Sequence, residues 1–67
     1  MPTNELSLKA AAITAEKSAR FAWNQYDKVL DAHGATTQVT QAARSKADAR
    51  QATATAARKA YNAVRFA

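Results

Sequence analysis

"DAHGATT", residues 31–37, contains the only glycine of this chain. Gly34 stands at the midpoint of 67 residues, with 33 on either side. Glycine takes the left-handed conformation at a helix C-terminus without a Cβ clash. Thr36 and Thr37, which follow it, are residue types that cap the start of a new helix. The stretch therefore reads as a helix stop, a chain reversal and a helix start.

Outward from this point, nothing breaks a helix on either side. Thr3 or Asn4 supplies an N-cap for the first helix, and Glu5 sits near its positive end. His33, beside Asp31 and Gly34, closes it, where a cation interacts favourably with the helix dipole. From Gln38 to Phe66 there is again neither glycine nor proline. The spacing predicts helices over about 4–33 and 37–66 with a turn at 34–36. Each is roughly 45 Å long at 1.5 Å per residue, and a short connection makes them antiparallel neighbours.

Heptad spacing supports this pairing. Leu8, Ala12, Ala15, Ala19, Ala22, Tyr26, Val29 and His33 alternate steps of four and three. Thr36, Thr40, Ala43, Ala47, Arg50, Ala54, Ala57, Tyr61 and Val64 do the same. This is the seam of a coiled coil. Folding back at Gly34 aligns Leu8 with Tyr61, Ala12 with Ala57, Ala15 with Ala54, Ala19 with Arg50, Ala22 with Ala47, Tyr26 with Ala43 and Val29 with Thr40. The expected fold is all-α: a single domain over 1–67, an antiparallel, coiled-coil-like two-helix hairpin.

Composition adds a constraint. Hydrophobic residues make up 48% of the chain, but 19 are alanine. Alanine favours helix strongly and buries little area. Ordering the backbone costs roughly 1–2 kcal/mol per residue, and a core of this size supplies only ~3–5 kcal/mol of net stability. The chain has no cysteine and one histidine, which leaves no disulfide and no ligand set for a zinc site. The remaining staple is another protein chain, and a homodimer forming a four-helix bundle is expected.

Apolar residues beyond the seam point the same way. Leu6, Ile13, Trp23 and Leu30 each follow a seam position by one. Val39, Ala42, Ala49, Ala56, Ala60 and Ala63 precede one. In an antiparallel pair these offsets project to opposite flanks. They pack either in the homodimer or against a different protein, with Phe21, Trp23, Tyr26 and Leu30 as the partner-binding residues. Aromatic anchors of this kind dominate interface energetics.

The net charge of +5 is uneven. Lys9, Lys17, Arg20 and Lys28 cancel Glu5, Glu16, Asp27 and Asp31 on the first helix. On the second, Arg44, Lys46, Arg50, Arg58, Lys59 and Arg65 face Asp48 alone. Thr37, Gln41, Arg44, Asp48, Gln51, Thr55, Arg58, Asn62 and Arg65 form a polar stripe, read as the face opposite the seam and turned to solvent or a polar partner. Arg44, Arg58, Arg65 and Lys59 are the candidate contacts for nucleic acid or an acidic protein; the alternative is a solvated face. Arg50 stands on the seam. Either its stem packs on alanine while the guanidinium reaches water, or it pairs with Glu16.

Chemistry is sparse. No carboxylate pair shares an apolar pocket, no phosphate loop is present, and Ser7, Ser18 and Ser45 have no base near them in sequence. No catalytic residue, cofactor, metal or small-molecule substrate is expected. No stretch approaches the ~20 apolar residues of a membrane span. The N-terminus lacks a basic region and an apolar signal core, so the expected location is cytoplasmic. The alanine-rich apolar face also argues against membrane-surface binding, since interfacial helices insert Trp, Phe or Leu.

The architecture resembles small bacterial and plasmid-encoded hairpins that dimerise into four-helix bundles, the repressor-of-primer type among them, without a shared motif. The likeness is one of architecture alone. It is the small size, the alanine-rich helices and the lack of a cofactor site that lead us to expect a non-enzymatic module that regulates or inhibits a larger host or cognate protein by docking on it, and a phage or mobile-element origin fits. The alternative is a dimeric nucleic-acid-binding regulator that uses the arginine stripe.

Overall fold

The computed structural model describes residues 5–66. Helix α1 spans Glu5–His33 and helix α2 spans Gln38–Arg65. They pack antiparallel as a hairpin about 50 Å long. The expected cap at Thr3 or Asn4 lies outside the described residues.

The turn is built as its sequence demands. Gly34 has φ +83, and its N–H donates to the Leu30 carbonyl at 2.8 Å, closing the last turn of α1. Thr37, rather than Thr36, is the N-cap of α2, and its Oγ1 accepts from the Thr40 N–H at 3.2 Å. Thr40 is buried, and its hydroxyl donates to the Gly34 carbonyl at 2.6 Å. The two threonine hydroxyls also lie 2.8 Å apart. One seam residue thus ties the first turn of α2 back to the glycine. Thr40→Val keeps the shape and removes the hydroxyl. It should cost about 1–2 kcal/mol, a lost hydrogen bond plus part of the cost of an unsatisfied carbonyl. A urea melt followed by circular dichroism measures it.

Burial follows the predicted seam. Ala12, Ala19, Ala22, Thr40, Ala47, Ala54 and Tyr61 are buried, while Leu8, Ala15, Tyr26, Val29, Ala43, Ala57 and Val64 are half-buried. His33, Thr36 and Arg50 depart from it and are exposed. The first two lie where the helices end. Arg50 is excluded because a guanidinium is costly to bury without a carboxylate partner, and its Nη1 donates to Ser18 Oγ across the seam. The Arg50–Glu16 pairing is therefore corrected: Glu16 is held by Arg58 instead.

The polar stripe of α2 is corrected as well. Each of its residues follows a seam residue by one, about 100° around the helix. The stripe accordingly lies beside the seam rather than opposite it. Arg58 and Gln51 reach across that flank to Glu16 and Trp23 of α1.

Candidate functional site

Two flanks run along the hairpin, and they differ in chemistry. The first joins residues that follow seam positions on both helices. Here Arg58 grips Glu16 as a fork: Nε donates to Oε2 at 2.8 Å and Nη2 to Oε1 at 2.6 Å. Two parallel bonds fix orientation as well as distance. The Arg58 side chain is 35% exposed and that of Glu16 37%, so solvent screens the pair. Arg58 holds the Glu16 carboxyl below its ordinary range, first through these hydrogen bonds and then through its charge. One step towards the turn, Trp23 Nε1 donates to Gln51 Oε1 at 3.3 Å. Tyr26 meets Trp23 edge to face, centroids 5.7 Å apart and planes at 86°.

A depressed carboxyl pKa contributes stability that is present above the ordinary carboxylate range. It is lost as pH falls through the folded-state value. Glu16→Gln should therefore lower the melting temperature at neutral pH, and the two curves should converge in acid. Added salt should narrow the same gap. Thermal melts across an acid pH series, with and without salt, check both.

The second flank joins residues that precede seam positions, and the seam residue Arg50 turns its exposed side chain out to it. Phe21, Gln25, Lys46 and Arg50 enclose a groove of about 130 Å³ over Ala22 and Ala43. Phe21 is 63% exposed. Lys46 and Arg50 have no carboxylate within ion-pair distance among the described residues.

The residues expected to bind partners are thus divided. Phe21 and Trp23 stand two positions apart, about 200° around the helix. The aromatics do not form one patch: Trp23 and Tyr26 are half-buried on or beside the seam, and Phe21 projects from the other flank. Leu30 is half-buried. The arginine stripe is also divided. Arg58 is committed to Glu16, and exposed Arg44 lies 3.9 Å from Asp48. Exposed Arg65 lies over the Tyr61 and Phe66 rings, at 5.8 and 4.7 Å from their centroids. Lys59 is exposed on the outer side of α2. The Phe21 groove is not legible from either helix alone, where Phe21 reads as one of the aromatics and Lys46 and Arg50 as part of the excess charge of α2. Phe21 and Lys46 each precede a seam residue, an offset that in an antiparallel pair places them on one flank, whereas the turn of Arg50 out of the seam towards that flank has no signal in the spacing.

Among the described residues, no group of three or more His, Cys, Asp or Glu is placed to hold a metal, and no helix is long and apolar enough to cross a membrane. Comparison with known proteins gives no match: no family model, no curated protein and no solved structure matches this chain.

Proposed function

We propose that this chain is a non-enzymatic, cytoplasmic binding module that regulates or inhibits a larger protein by docking on it through the apolar surface its own fold leaves uncovered. One observation carries the reading. The buried apolar core consists of five alanines and Tyr61, while Leu6, Phe21, Val39 and Phe66 are exposed. A compact protein of this mass would expose about 4,100 Å², whereas the hairpin exposes 4980 Å². Large apolar side chains outside and small ones inside are the reverse of a self-sufficient domain.

The same deficit supports self-association into a four-helix bundle. The flank bearing Leu6, Ile13 and Leu30 is the surface that would serve it. Nucleic acid is the weaker alternative, since two of the three stripe arginines already have carboxylate neighbours. Affinity capture from lysate of the cells that carry the gene, with nuclease treatment, tests the docking reading. It expects a stoichiometric protein partner that survives nuclease and is lost with Phe21→Glu. Capture of nucleic acid alone, or none, would overturn it.

A further inference from the structure

We infer that the Phe21 groove receives an acidic amphipathic helix of the partner protein, laid along the hairpin as a third helix. This rests on the docking reading and names the chemistry of what docks. Three features converge. The floor is Ala22 and Ala43, and residues flanking it along the same face are small: Ala11, Thr14, Ser18, Ala32, Ala42, Ala49 and Thr53. Small side chains let a third backbone approach to about 8 Å, the short end of helix packing distances. Phe21 projects from the middle of this surface as a large apolar knob, and Val39, nearer the turn, adds a smaller exposed apolar side chain to the same face.

Charge then selects the occupant. Lys46 and Arg50 border the groove, and Lys28 lies seven residues beyond Phe21, on the same stripe of α1. None of the acidic residues takes a position on this face: Glu16, Asp27 and Asp48 lie towards the other flank, Asp31 on the outer side, and Glu5 in line with the seam. The result is a cationic rim around an apolar strip, with no carboxylate placed on that face among the described residues. A second copy is a poor occupant, because it brings another +5 to a surface already positive. Phosphates would answer the lysines and arginine but leave Phe21 and the alanine floor unmatched. A helix with leucines on one face and glutamates along its edges satisfies both.

The probes are two labelled peptides of about 20 residues, roughly 30 Å of helix. Both carry leucine at heptad seam positions; one has glutamate at the flanking positions and the other lysine. A single-stranded oligonucleotide is the third. Fluorescence anisotropy follows each against the full chain, Phe21→Ala, and the double variant Lys46→Glu with Arg50→Glu. All the substituted residues are exposed, and circular dichroism verifies helix content. The acidic peptide should bind at least about tenfold tighter than the basic one, with the double variant inverting that order. Phe21→Ala should weaken the acidic peptide alone. Equal binding of both peptides, or an unchanged acidic peptide affinity in the double variant, overturns the proposal. Tighter binding of the oligonucleotide also overturns it, in favour of a phosphate surface. So does a doubled chain mass that excludes peptide, in favour of a second copy. If the lysate partner is still captured by the double variant, docking stands and this assignment falls.

Discussion

Ala47→Leu should unfold the hairpin or leave it only partly helical at room temperature. Ala47 is completely buried where the two seams meet, and its expected opposite number, Ala22, is buried as well. The helices approach closely because these positions carry a single methyl group. Leucine adds three carbons where no space exists, and overpacking of this kind costs about 1–3 kcal/mol, occasionally more. The whole domain has only ~3–5 kcal/mol to lose. Helix propensity does not confound the test, since alanine and leucine are both strong helix formers. Ala52→Leu, on the exposed outer side of α2, makes the same chemical change outside the seam and should shift stability by less than about 0.5 kcal/mol. Urea melts of the two variants separate these outcomes. An Ala47→Leu protein as stable as the parent would mean that the hairpin seam is not the core.

How far the sequence carried can be seen at particular residues. Gly34 located the turn because few residues other than glycine take a positive φ without strain, a local constraint that one residue states alone. The seam was legible because heptad spacing is a property of each helix separately. What one helix cannot state is where its long side chains go. Glu16 reads as one of four acids cancelling four bases, and Arg58 as a member of a polar stripe. Their bond exists because both follow a seam position by one, which in an antiparallel pair places them on one flank. The same rule separates Phe21 from Trp23, although they are neighbours in sequence. Arg50 was ambiguous for a different reason. A long cation at a seam position either snorkels or pairs, and which wins depends on whether Glu16 is already taken. The candidate site was therefore legible in its components and not in its assembly. Alanine, uniform along most of both helices, marks the faces that pack and the faces left open with the same letter.

The second large effect lies at the open end of the hairpin. Tyr61→Ala should cost about 3 kcal/mol or more, the range for truncating a buried aromatic ring. Tyr61 is the one large side chain in the buried core and is 7% exposed. The guanidinium of Arg58 lies 5.5 Å from its ring centroid and that of Arg65 5.8 Å. The ring is thus both the plug of the open end and a surface beneath the fork that holds Glu16. Removing it takes away apolar burial and loosens the geometry of the ion pair at once. The two losses should be coupled: with Glu16→Gln, the double variant should lose less stability than the two single variants added together. Tyr61→Phe keeps the ring and both cation contacts and should stay near the parent. Unfolding should be polarised along the molecule. Amides of the last turns of α2 should lose hydrogen-exchange protection before those around Gly34 and Thr40, because the turn cluster does not depend on Tyr61. Uniform loss of protection along both helices would show instead that the hairpin has no separable end and opens as one unit.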